Sequence, residues 1–239
     1  VSPRRVRAIF AKELREYRRN RNVFIYATAI LPLIFIIQPV IQVFTLSSKA
    51  SALLHHEHTL IYMLAIPVLV PATLAAYSVV GERIQGTLEP LLSTPVRREE
   101  LLLGKALAAF VPSVVVAYAV FGLYVAIVEL FASPGVASAL VRGPDVLAQL
   151  VFTPLLAAWS IWVGIALSAR SSDPRTAQQL SIFASLPTVA VTSLIAFNVI
   201  PANIRVAAGF GIGLLVLLRV GARFVPAVFD RERLITSTK

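Results

Sequence analysis

The sequence predicts an all-α, polytopic membrane protein with six transmembrane helices, an N-terminal amphipathic interfacial helix and cytoplasmic termini. Three observations predict it. Of 239 residues, 57% are apolar and only 14% charged, against about 45–50% and about 25% in soluble domains. Six apolar stretches each exceed the roughly 18 residues that a spanning helix needs. The basic residues gather in alternate connections. This composition argues against a soluble enzyme and excludes a disordered chain, which would be poor in apolar residues. The chain has no cysteine, so disulfides, thiol chemistry and thiolate-ligated metals are excluded.

Residues 1–22 read as an interfacial helix. Val6, Ile9, Phe10, Leu14 and Tyr17 share one face at 100° per residue, and Arg4, Arg7, Lys12, Arg15, Arg18 and Arg19 share the other. That is the pattern of a helix lying in a membrane surface, with its basic face toward anionic headgroups. Glu13 falls within the apolar face, which leaves two readings: local pairing or snorkelling to water, and a contact to the bundle or a partner. These residues are charged throughout and lack a short apolar core, so no cleavable leader is expected.

The six expected spans are Val23–Leu46, Thr59–Gly81, Ala106–Phe131, Val146–Ala169, Ala177–Ile200 and Val206–Pro226. Within the first, Gln38 and Gln42 lie four apart, beside Pro32 and Pro39. Trp159 and Trp162 lie one turn apart in the fourth, and Asn198 ends the fifth. Such residues line a path for an amphipathic substrate, or they serve helix–helix hydrogen bonding and lipid-facing packing. Pro112, Pro154 and Pro187 should kink spans three, four and five. Gly209, Gly211 and Gly213 alternate in span six and suit close helix packing or local flexibility.

Orientation follows from Lys and Arg. The segment before span one holds eight, the loop after span two four, the loop after span four two, and the end of the chain five; Lys49, Arg142 and Arg205 stand alone in the other three loops. Nineteen of 22 on one side puts both ends in the cytoplasm, as six spans require. The same bias accounts for the +10 net charge without nucleic acid as a partner.

The hydrophilic loop Glu82–Gly104 is not a linker. Ile84, Leu88, Leu91 and Leu92 recur at helical spacing, Thr87 can cap a short helix with Pro90 in its first turn, and Ser93-Thr94-Pro95 breaks the chain. Glu99 and Glu100 then suit the start of a helix running into span three. Such a loop reads equally as a capped connector or as an element that docks against something. Gly81–Thr87 has the glycine spacing of a phosphate loop but Thr in place of its lysine, so no nucleotide site is present. His55, His56 and His58 with Glu57 form the only histidine cluster, in an outer loop, and no second cluster completes a metal site. No acid–base constellation lies in a span, so no catalytic residue is assigned.

The loop Glu82-Arg83-Ile84-Gln85-Gly86-Thr87-Leu88-Glu89-Pro90-Leu91-Leu92-Ser93-Thr94-Pro95-Val96, with Glu100 and Leu103-Gly104-Lys105, resembles the hallmark of ABC-2 type permeases. These are membrane subunits of prokaryotic ATP-binding-cassette exporters. Arg97 departs from the pattern, standing where the family often has a small hydroxyl residue that caps the next helix. Ala11-Lys12-Glu13-Leu14-Arg15 is similar to the family's entry helix, and Phe229–Leu234 to its segment after span six. The likeness covers the whole chain.

The resemblance implies a single domain, 1–239, with the interfacial helix at 1–22 and a cytoplasmic coupling loop at 82–104. Glu82, Gly86, Thr87, Leu88, Glu89, Leu91, Leu92 and Pro95 would meet the ATPase, and Lys12, Glu13 and Arg15 on the entry helix would flank it. Gln38, Gln42, Trp159, Trp162 and Asn198 are candidates for the substrate path, and spans two and five would line it. The implied function is a non-enzymatic permease subunit that exports a drug-like, lipid or other amphipathic substrate by alternating access. Two copies of a separate ATPase subunit would drive it, with ATP and Mg bound there and no cofactor or metal on this chain. A second permease completes a homodimer or heterodimer, and membrane lipids surround it in a prokaryotic plasma membrane. The alternative is a self-sufficient secondary transporter or channel, but no acidic group stands in mid-membrane to bind its ion.

Overall fold

The computed structural model describes residues 1–45, 58–84, 86 and 97–228. All regular structure among them is helical. Helix α1 (Pro3–Arg19) starts with a proline in its first turn, where the missing N–H costs nothing. Helix α2 (Arg21–Thr45) is the first of six helices long and apolar enough to cross a membrane. It contains a π-helical turn at Tyr26–Ile30, closed by the Leu31 N–H on the Tyr26 carbonyl. The widened turn directly precedes Pro32, which has no N–H for an ordinary helical bond. Helix α3 joins Thr59–Tyr62, a 3₁₀ turn at Met63–Ala65 and Ile66–Ile84. Helix α4 (Arg98–Phe131) carries span three and its polar approach as one rod. A short α5 (Pro134–Leu140) leads into α6 (Gly143–Arg170), and α7 (Pro174–Ala196) and α8 (Ile204–Val228) complete the chain. Helices α4, α6 and α7 run on through Pro112, Pro154 and Pro187.

Helix α3 is the axis of the bundle. Its most apolar window is 94% buried, against 11–39% for the other five spans, and α6, α7, α4 and α2 pack around it. The outer helices are exposed on apolar faces such as Leu33, Ile34 and Ile37 of α2 and Ile212, Leu215 and Val216 of α8. That arrangement suits lipid as the surrounding solvent. Span two is thus enclosed by the other helices of its own chain.

Helices α3 and α6 are parallel and touch throughout. Gly164 lets them close, since its missing Cβ faces Ala75. The buried face of α7 is a row of small residues: Ala177, Ser181, Ser185, Thr188 and Thr192. The four hydroxyls bond back to carbonyls three or four residues earlier, so they add no unmet polar group. Of the two uses expected for Gly209 and Gly213, close packing is not seen among the described residues: nothing there lies within 4 Å of a Cβ added at either. The end of the bundle carrying α1 and the α3–α4 connection is called basal below, and the other end distal.

Candidate functional site

The apolar face of α1 lies on α4 rather than on open membrane, with Val6, Ile9, Glu13 and Tyr17 buried. Gly104 makes the seat: a Cβ there would stand 2.6 Å from Ile9 Cγ2. Glu13, odd in an apolar stripe, points at the wholly buried Lys105 of α4. Lys105 Nζ donates to Glu13 Oε1 at 2.8 Å and to the Ser78 carbonyl at 2.6 Å, and stands 2.9 Å from Glu82 Oε2. Lys12 Nζ hydrogen-bonds the other oxygen of Glu82 and lies 3.1 Å from Glu16. Lys12 therefore leaves the outward basic face expected for it.

Two ammonium groups and three carboxylates thus interlock α1, the basal end of α3 and the start of α4. The carboxylate oxygens of Glu13, Glu16 and Glu82 lie within 4.8 Å of one another, but lysine ammoniums supply the cations there. Burial raises the Glu13 carboxyl above the usual carboxylate range, against the pull of Lys105. Burial opposes the charge on Lys12, yet its hydrogen bond and charge contact with Glu82 outweigh this and hold it above the usual lysine range.

A second clasp uses Glu100. Its carboxylate accepts from the Ser2 N–H at 2.7 Å and the Arg97 N–H at 3.1 Å, with Arg5 at 3.4 Å. Glu100 reaching back to Arg97 supplies half of a capping box, so α4 is capped although Arg97 replaces the small hydroxyl. Glu82 and Glu100 are the two roots of the segment between α3 and α4. Helix α1 is bonded to both.

Higher on α3, Ser168 of α6 is inserted into the backbone. Its Oγ accepts from the Val79 and Val80 N–H groups, at 3.1 and 3.0 Å, and donates to the Ala76 carbonyl at 2.6 Å. Tyr17 of α1 donates to the Leu74 carbonyl at 3.4 Å. Basal α3 is therefore held from α1, α4 and α6 together, as one block.

A family model described as "ABC-2 family transporter protein" matches residues 7–221. The chain belongs to the ABC-2 transporter family. No curated protein matches the chain in a sequence comparison. The matched region takes in five whole spans, most of the sixth and the ionic cluster of Lys12, Glu13, Glu16, Glu82 and Lys105, so the ABC-2 assignment makes this junction part of the membrane component of an ABC transporter.

Of the coupling residues expected for an ABC-2 chain, Glu82 is buried in the ionic cluster and Gly86 holds a left-handed φ of 67°, which favours glycine. Thr87, Leu88, Glu89, Leu91, Leu92 and Pro95 lie outside the described residues, as do His55, His56, Glu57 and 229–239. On α1, Glu13 takes the bundle-contact reading, while Arg15 is exposed and bonds the Ala11 carbonyl.

The structure does not gather the five path candidates. Gln38 is exposed, and Gln42 accepts from Thr59 at 3.4 Å, a bond between α2 and α3. Trp162 packs over Gly221 of α8, and Trp159 joins the apolar cluster around Leu64 and Leu156. Asn198 has φ 55° and ends α7, a geometry that asparagine tolerates better than most residues.

Sequence reasoning missed the partners of Lys105, the Ser168 insertion and the link from His58 to Asp145, whose Nδ1 lies 2.9 and 3.1 Å from the two carboxylate oxygens. It also missed the polar row of α6. The spacing of Asp145, Gln149, Thr153, Ser160 and Ser168 was a readable signal, because every step is four or close to a multiple of four.

Proposed function

We propose that this chain is the permease subunit of an ATP-driven exporter, and that its basal junction couples it to a separate ATPase subunit. One observation carries the reading: α1 is ionically bonded to Glu82 and Lys105 and clasped by Glu100, so both roots of the 85–96 segment are fixed to one interfacial helix. A push on that segment would be delivered to α3 and α4 as rigid-body motion rather than absorbed in a loose loop. On this reading the basal end is cytoplasmic, which the basic residues support. Glu89 with Leu88, Leu91 and Leu92 would seat in the ATPase, and two ATPase copies with a second permease would complete the machine. ATP and Mg would bind on the ATPase. The apolar flanks favour a drug-like, lipid or other amphipathic cargo.

The test is purification from the native membrane followed by transport in inverted vesicles. An ATPase chain should co-purify, and uptake of an amphiphile should need ATP. Glu89→Ala should retain the partner but lose at least tenfold in cargo moved per ATP hydrolysed. Uptake that continues in ATP-depleted vesicles would overturn the proposal in favour of a secondary transporter.

A further inference from the structure

A polar side chain stands on the lipid-facing side of α2. Gln38 is exposed, and so are Leu33, Ile34, Ile37 and Ile41 around it. Residues 34, 37, 38 and 41 are neighbours on one helix face. Gln38 makes no hydrogen bond among the described residues. Gln42, one turn on, is bonded by Thr59 of α3.

Its depth keeps Gln38 from water. The 25 residues of α2 extend about 37 Å at 1.5 Å per residue, more than a hydrocarbon core of about 30 Å. With α2 centred in that core, Gln38 lies about 8 Å from the midplane and about 7 Å inside the nearer edge. Lysine and arginine snorkel on longer stems; glutamine has two methylenes. Acyl chains neither donate nor accept, so lipid leaves the amide unmet, at a cost in free energy.

An amide is completed by another amide. It carries both a donor and an acceptor, so two glutamines facing each other bond reciprocally, each Nε2 donating to the other's Oε1. A twofold interface sets the same patch of two identical chains together, which puts Gln38 opposite Gln38. Among the described residues it is the one exposed amide in the middle of a span: Gln179 lies in the second turn of α7, and Asn198 lies beyond its end.

We propose that the α2 patch around Gln38 is a contact between two copies of this chain, closed by a reciprocal pair of Gln38 amides. It rests on the exporter reading for the need of a second permease, and it makes that permease an identical chain.

The chain has no cysteine, so single introduced cysteines report the contact, in isolated membranes holding the full chain. Oxidation with copper phenanthroline should join Ile34→Cys chains, and Ile41→Cys chains, into dimers at least fivefold more than Ile212→Cys chains, whose site is similarly exposed on α8. Adding Gln38→Leu should lower that yield at least threefold, although the patch becomes more apolar. Gln38→Asn keeps the amide and should lower it less. Yields at Ile34 and Ile41 no higher than at Ile212, or unchanged by Gln38→Leu, would overturn the proposal. So would a cross-link to a chain of another mass. The readout needs neither ATP nor cargo. A secondary transporter built as this dimer would still give the cross-link, and an exporter with a different second permease would not.

Discussion

A methyl group on Gly164 would stand 2.6 Å from Ala75 Cβ, closer than two carbons can pack. The nearest alternatives are the Ala72 carbonyl oxygen at 3.2 Å and the Ala75 carbonyl carbon at 3.4 Å, both backbone. Nothing flexible is available to yield. Gly164→Ala should therefore separate α3 from α6 and cost about 1–3 kcal/mol, as overpacked cores do. Gly209→Ala is the control, with open space around it in mid-helix, and should be neutral or stabilising by up to about 1 kcal/mol. Thermal unfolding in detergent reads both.

The ionic cluster should respond asymmetrically. Lys105→Met leaves the Glu13 and Glu82 carboxylates buried without their shared cation, and breaking a buried pair this way costs about 3–5 kcal/mol. Glu13→Gln leaves Lys105 with Glu82 and the Ser78 carbonyl, and should cost about 1–2 kcal/mol, near the value of one charged hydrogen bond. Equal losses in the two variants, measured by unfolding in detergent, would contradict the cluster as drawn.

Glu13 also sets a pH dependence. Its carboxyl in the folded protein lies above the ordinary value of 4.5, because burial disfavours the charge. A raised carboxyl binds its proton more tightly when folded. The stability it contributes is present below the ordinary value and is lost as pH rises through the raised one. Stability should fall across that window in the wild type and stay flatter in Glu13→Gln. Unfolding temperatures measured from acid to neutral pH check this.

Hydroxyls on α6 should divide by partner. Ser168 serves two backbone N–H groups and one carbonyl of α3, so Ser168→Ala should cost about 1–3 kcal/mol. Thr153 Oγ1 is buried and has no hydrogen-bond partner among the described residues. Thr153→Val removes a desolvated hydroxyl at nearly constant volume and should be neutral or stabilising by up to about 1 kcal/mol. Faster amide exchange at Val79 and Val80 in Ser168→Ala, and not in Thr153→Val, would place the loss at the insertion.

The spans and α1 were legible because membrane burial and amphipathicity write themselves into local periodicity. Val6, Ile9 and Tyr17 face inward as their spacing requires. The cluster was half legible: Glu13 stood out as a charge on an apolar face, but its partner lies 92 residues away, and periodicity says nothing about distant helices. Residue type also did not separate Gln38, which is exposed on α2, from Gln42 one turn on, which bonds Thr59 of α3. Asn198 shows a different limit. A residue needed for backbone geometry at a helix end is indistinguishable by type from one that meets a ligand.

The distance in sequence between Glu13 and Lys105 also orders the assembly of the protein. Glu13 and Glu82 are both synthesised before the lysine that neutralises them. Until α4 has entered the membrane, α1 has neither the Gly104 seat nor its central cation. The first two spans must therefore be in place, and the third inserted, before the entry helix can settle.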